Sequence, residues 1–310
     1  MSMQGILTLS EELLCEEEVL GMSFDISISS IDAKLYFPLC PEIDDKKPEI
    51  GIFNPLKAPL LASHIKRGSE KLIWGYPLQY PKCNSSVSLL ALSVDCEAEK
   101  NTEYAKILYE SISSWEMAFM DYIKIETKQG CFHDKNIQRN ICNLELLADK
   151  YIPKTSSIEL FLTIPREFAS KVQIEEAIRY ANSSKELFTE YKMLLNAYAA
   201  RRINQNRLAI VNACSALEIC LVRYLEDKCK ELKLDKRLFL DIKFRSLGDR
   251  IRLAQTFDTG FPKNDYDKLV VKPRNDLVHN RETDPTDDVT NKLITCVEDY
   301  LSYYFKGRYY

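Results

Sequence analysis

The sequence predicts an α+β protein, with an N-terminal α+β domain over residues 1–165 and a C-terminal all-helical bundle over residues 166–310. Three observations carry that division. Short runs of alternating apolar and polar residues, the period of strands, fill the first part and stop near residue 167. Long apolar stripes with the 3.6-residue period of helices fill the rest. Charge is also uneven: residues 201–310 hold 21 Lys and Arg against 17 Asp and Glu, whereas residues 1–200 hold 21 against 29. The net charge of −4 therefore hides a C-terminal part able to meet an anion.

Residues 22–40, "MSFDISISSIDAKLYFPLC", alternate as strands do, and "KLIWGYPLQYP" and "SSVSLLALSVDCEAE" continue the pattern. Prolines and glycines break it at turns, as in "GIFNPLKAP". Residues 103–123 read as a helix, with Ile107, Ile112, Trp115, Phe119 and Tyr122 near one stripe. "SIELFLTIP" reads as one more strand. Beyond it, Phe188, Tyr191, Leu195 and Tyr198 share a helix face. A longer helix follows, with Ile210, Cys214, Leu217, Leu221, Tyr224 and Leu225 as its stripe. "FRSLGDRIRLAQTF" is a shorter helix and "DTGFPKND" a loop. The last helix opens with Asp284 as cap and Pro285 at the first helical position, and buries Leu293, Val297, Tyr300, Leu301 and Tyr304. Helices joined by short loops make a bundle.

With 45% hydrophobic and 28% charged residues, the composition is that of a soluble globular protein. The acidic N-terminus is unlike a signal peptide, and no apolar run approaches a membrane span, so the chain is expected to be cytoplasmic. The ten cysteines are scattered without a CxxC pair, which predicts reduced, mostly buried thiols and neither a zinc site nor any other cofactor.

The chemistry concentrates in "VVKPRNDLVHNRETDP", residues 270–285, which holds the only histidine after His133. Read as a helix, it sets Asn275 and His279 one turn apart, with Glu282 next along. Arg274, Leu277, Val278 and Arg281 share the adjacent face, and Leu277 and Val278 are expected to point into the bundle. Arg274 is then anchored at the edge of the core, able to swing toward His279. That grouping suits phosphodiester cleavage in RNA. An imidazole can give or take a proton near neutral pH. A guanidinium fork matches phosphate oxygens and the charge that develops on them. An amide one turn from the imidazole can orient the ring or bind a phosphate oxygen. None of this demands a metal. Pro273 either kinks the helix or begins it, and in the second case free N–H groups could bind a phosphate.

In its Arg274–Asn275–His279 motif, and in the preceding "RLAIVNACSALEICLVRYLEDK" and "SLGDRIRLA" helices, the sequence resembles the HEPN family over about residues 185–305. The family signature is Arg, four to six residues, then His, often with a polar residue after the Arg. The resemblance implies a HEPN-like helical bundle and a metal-independent endoribonuclease, an effector of antiviral defence, abortive infection or a toxin system. It implies a composite site at a homodimer interface through the C-terminal bundle, with an antitoxin or activating ligand as a further partner. It implies that Arg274 binds or polarises the phosphate, that His279 is the general acid or base, and that Asn275 stands at the polar position. Two other functions fit the same residues: a non-catalytic HEPN-like dimerisation or interaction module, and a sensor whose N-terminal domain binds a ligand or phage component.

Glu218 is the only charge in "CSALEICLV", and at a core edge it needs a partner. Arg274 would make it a supporting residue of the site, while Arg207, Arg223 or Arg250 would make it structural. His64 and His133 stand alone in loop or core settings. Tyr303, Tyr304, Tyr309 and Tyr310 could stack bases, but Tyr300 and Tyr304 are at core spacing and the last two read as a frayed tail.

Overall fold

The computed structural model describes residues 2–40, 61, 64–67, 70–78, 84–95, 100–129, 168–183, 185–237, 240, 243–279 and 284–310. They fall into two compact units. The described residues of 1–129 and 164–185 form the first, and those from Glu186 onward belong to the second. The protein is α+β, with an antiparallel sheet followed by helices. The division comes later than residue 166, because the helix at 171–182 belongs with the sheet.

In the first unit, strands β1 (Ser2–Cys15), β2 (Ser23–Ile28), β3 (Ile31–Tyr36), β6 (Gly75–Pro77) and β7 (Ser85–Asp95) form one sheet in the order β1-β7-β3-β2, with β6 also on β7. A separate hairpin joins β4 (His64–Arg67) to β5 (Glu70–Ile73), and His64 opens it. The alternation read from the sequence is literal in β2 and β3, where Phe24, Ile26, Ile28, Ile31, Ala33 and Leu35 turn inward. Between them Ser29 and Ser30 both take positive φ, which gives the two-residue turn whose twist matches the strands. β7 is central and buried along nearly its whole length. Trp74 packs against its Leu89 and Ala91.

Helix α1 (Asn101–Thr127) turns Trp115, Phe119 and Tyr122 inward, as its spacing predicts. It packs on α2 (Lys171–Asn182), which a Ser170–Gln173 capping box starts. Asn182 then ties three elements together. Its Oδ1 accepts from Trp115 Nε1 at 2.9 Å and from the Ser27 N–H at 3.0 Å. The segment "SIELFLTIP" and His133 lie outside the described residues.

The second unit is a bundle of α3 (Thr189–Arg202), α4 (Asn206–Glu231), α5 (Leu247–Phe257), α6 (Lys272–Val278) and α7 (Asp287–Phe305). α4 is its axis and packs against each of the others. By length and composition α4 could cross a membrane, contrary to the reading that no segment approaches that length. Its Ala209, Ile210, Cys214, Leu217, Leu221 and Leu225 are buried within the bundle instead. The cap of α7 is Thr286, whose hydroxyl accepts from the Val289 N–H, and not Asp284. Asp287 in the first turn pairs with Arg201, whose guanidinium also donates to Asn291 at 2.7 Å. The last residues are docked. The Tyr309 carbonyl accepts from the Phe188 N–H at 2.9 Å, and its ring meets Tyr191 edge-on.

Cys15, Cys214, Cys220, Cys229 and Cys296 are free and buried. Cys40 is held in a disulfide, which corrects the reading of all ten as reduced thiols. Pairing leaves no signature in cysteine spacing, so the sequence had no access to it.

Gly75 has φ of 152°, and a Cβ built there would lie 2.1 Å from the Ser86 carbonyl oxygen. Gly75→Ala must therefore push β6 off β7. It is expected to cost on the order of 3 kcal/mol, read as a lower urea midpoint of the sheet unit.

Candidate functional site

The helix that carries the motif does not begin at Pro273. A π-helical segment, Asp267–Val271, runs directly into α6. Val271 and Lys272 are both right-handed helical, and the Lys272 N–H donates to the Asp267 carbonyl five residues back. In a regular α-helix the Pro273 ring would crowd the Leu269 carbonyl. The wider π turn stands where that crowding would occur, and such turns are frequent at functional sites. The backbone donors before Pro273 are thus already in a helix, which corrects the idea of a free N-terminus there. Tyr266 and Val270 fill the core ahead of the motif, while α6 itself has no buried residue. Leu277 is only half-buried and Val278 is 58% exposed, so Val278 does not point inward as its spacing suggested.

α6 lies on the rim of α4. Arg274 and Asn275 are half-buried and joined, with Arg274 Nη1 donating to Asn275 Oδ1 at 3.2 Å. His279 ends the helix one turn later. Its N–H donates to the Asn275 carbonyl at 3.0 Å, and its ring is exposed. Asn275 therefore contacts both: its side chain holds the guanidinium and its backbone holds the histidine's turn. Among the described residues no hydrogen bond joins the His279 ring to Arg274. Arg281 and Glu282 lie outside the described residues.

Glu218 does not bind Arg274. Arg250 Nη1 donates to its Oε1 at 2.5 Å, and Arg250 Nε donates to the Phe244 carbonyl. This is one of the structural pairings open in the sequence. Glu218 and Arg274 are nonetheless close enough to act on one buried group. Burial pushes the Cys214 thiol up to about 12, the Arg274 cation pulls against that shift, and the Glu218 anion adds to it. The sequence marks Cys214 only as a residue of the α4 stripe, and the influence of Arg274 on it depends on how α6 crosses α4.

Among the described residues no cluster of His, Cys, Asp and Glu is arranged to hold a metal ion. Tyr303 and Tyr304 are engaged elsewhere: the Tyr303 hydroxyl binds both Asp258 oxygens, and Tyr304 packs against Tyr224 and Phe305. Tyr309 is a packing residue and not a frayed end.

No family model, curated protein or solved structure matches the chain.

The thiols of α4 give a direct check on this packing. Burial raises both Cys214 and Cys220, and the thiolate is the reactive form, so both stay protonated at ordinary pH. Iodoacetamide at about pH 8, below the raised thiol range, is expected to leave Cys214 and Cys220 unmodified in native protein and to alkylate both after denaturation. Modification of Cys214 in the native protein, mapped by peptide mass, would contradict the covered position described for it.

Proposed function

We propose that this chain is a metal-independent endoribonuclease of the HEPN type, with Arg274, Asn275 and His279 as its working residues. One observation carries the reading. On a single rim helix, an exposed imidazole follows five residues after an arginine whose partner is a neutral amide. No carboxylate among the described residues forms an ion pair with that arginine. Its charge is therefore available to an anion, and an acid–base group ends the same helix.

In the reaction this suits, a 2′-hydroxyl of RNA attacks the adjacent phosphorus. The 2′-oxygen loses its proton, the bond to the 5′-oxygen breaks, and that oxygen takes a proton. The products are a 2′,3′-cyclic phosphate and a 5′-hydroxyl. His279 serves one of the two proton transfers. Arg274 binds the non-bridging oxygens as their charge grows. Asn275 keeps the guanidinium turned outward. Unpaired RNA is the favoured substrate, because its 2′-hydroxyl can reach the in-line geometry.

A single His279 supplies one proton-transfer group, and a two-fold dimer supplies two. Exposed apolar residues support that assembly: Leu208 and Val211 on α4 and Val278 on α6 are each about half exposed. The reading is a homodimer through the C-terminal bundle. The resemblance also supports a role in antiviral defence or as a toxin.

Purified protein is expected to cut single-stranded RNA in the presence of EDTA and to leave cyclic phosphate ends. His279→Ala is expected to lose on the order of 100-fold or more in rate. Arg274→Ala should lose a similar factor, about 3 kcal/mol of transition-state stabilisation. Asn275→Ala should lose less, since water can replace one amide hydrogen bond. Unchanged cleavage by the His279→Ala protein would favour an interaction module, for which the exposed Leu208, Val211 and Val278 also speak. Separately, Val211→Asp with Val278→Asp is expected to give a monomer by light scattering, and full activity in that monomer would refute the composite site.

A further inference from the structure

α5 runs antiparallel to the π segment that leads into the motif helix, and two contacts set how the two lie. Arg252 Nη2 on α5 donates to Asp267 Oδ1, at the start of the π segment, at 3.3 Å. One turn earlier on α5, buried Gly248 faces Val271, the last π residue. A Cβ built on Gly248 would lie 3.4 and 3.6 Å from the two Val271 methyl groups and 3.9 Å from Arg252 Nη2. That is ordinary van der Waals contact, with little space for any atom beyond Cβ on that side. Gly248 is not among the residues with positive φ, so its backbone does not call for glycine. The close approach of Val271 does.

Val271 runs directly into α6, and Arg274 follows it by three residues, one turn along the same face. α6 buries no residue of its own. Its place is therefore inherited from the turn before it, and Val271 ends that turn. We propose that Gly248 is a positioning residue of the candidate site: by carrying no side chain it lets α5 close on Val271, and that contact, with Arg252 on Asp267 one turn away, sets where α6 presents Arg274 and His279. The consequence for RNA rests on the ribonuclease reading; the seam between α5 and the π segment does not.

The test uses the full chain in four forms: wild type, Gly248→Ala, Gly248→Val and the double variant Gly248→Val with Val271→Ala. Alanine adds the one atom the seam can hold and favours a helix, so Gly248→Ala is expected to match wild type. Valine adds two further methyl groups against those of Val271 and overpacks the seam, and Val271→Ala gives two back. The first readout needs no RNA. Hydrogen exchange over a peptide spanning residues 272–279 is expected to rise several-fold in Gly248→Val and to return in the double variant, while peptides from α3 and β7 keep their wild-type rates. Cleavage of a single-stranded RNA is expected to fall by about tenfold or more in Gly248→Val, since misplacing a reactive group by about 1 Å costs that much. KM should rise as kcat falls, because Arg274 holds the phosphate before and during reaction, whereas a smaller folded fraction lowers kcat alone. The double variant is expected to recover both. Unchanged exchange over 272–279 in folded Gly248→Val overturns the proposal, as does a rise shared equally by the whole chain or a loss that the double variant does not recover. Should Gly248→Val fail to fold, Arg252→Met decides the matter: it removes the second contact without overpacking and is expected to raise exchange over 272–279 about twofold, and no rise there overturns the proposal. If exchange follows the expected order while wild-type protein cuts no RNA, the ribonuclease reading fails and the seam stands.

Discussion

The second unit depends on covering one helix. α4 carries apolar residues on most of its circumference, and ten of its 26 residues are buried. Each Leu or Ile taken out of water contributes roughly 1.5–3 kcal/mol, so a bare α4 in water is untenable. α3, α5 and α7 supply most of the cover, with a smaller contact from α6. Two buried carboxylates among the described residues are paired. Tyr198 donates to the buried Glu298, and fully buried Glu190 pairs with Arg223, whose guanidinium lies over the Phe188 ring. α6 makes the smallest of these contacts with α4.

That residual position explains the character of the motif helix. α6 is too short to hold a place by its own propensity, since isolated helices of that length do not persist in water. It is held by what precedes it. Val270 and Tyr266 are driven into the core, and the π turn carries the chain past Pro273 without ending the helix. The anchoring residues are therefore not the chemical ones. Arg274, Asn275 and His279 stand half or fully exposed on a helix anchored by the residues before it, which favours holding reactive groups at fixed separation.

Electrostatics on the same rim are arranged by helix identity. α4 provides the carboxylate Glu218, α5 the cation that holds it, and α6 a second cation paired with a neutral amide. The buried Cys214 thiol stays protonated, because burial outweighs the pull of Arg274. The thiol is thus a packing residue.

The sequence by itself determined the period of each long element. Phe24, Ile26 and Ile28 alternate inward, Trp115 and Phe119 share a buried stripe, and Ile210, Leu217 and Leu221 line the face of α4, because a side chain's face follows from its position in the repeat. It determined the α+β class and marked Arg274, Asn275 and His279 as neighbours along one helix. It did not determine what lies across from them. That α2 joins the sheet depends on Asn182 reaching Trp115 and Ser27. That Val278 faces outward depends on a π turn, whose extra residue shifts the phase of everything after it. That Glu218 belongs to Arg250 depends on how α5 crosses α4. Periodicity is a property of one element, whereas each of these is a contact between elements distant in the chain, and only the tertiary structure selects among the partners that local pattern leaves equal.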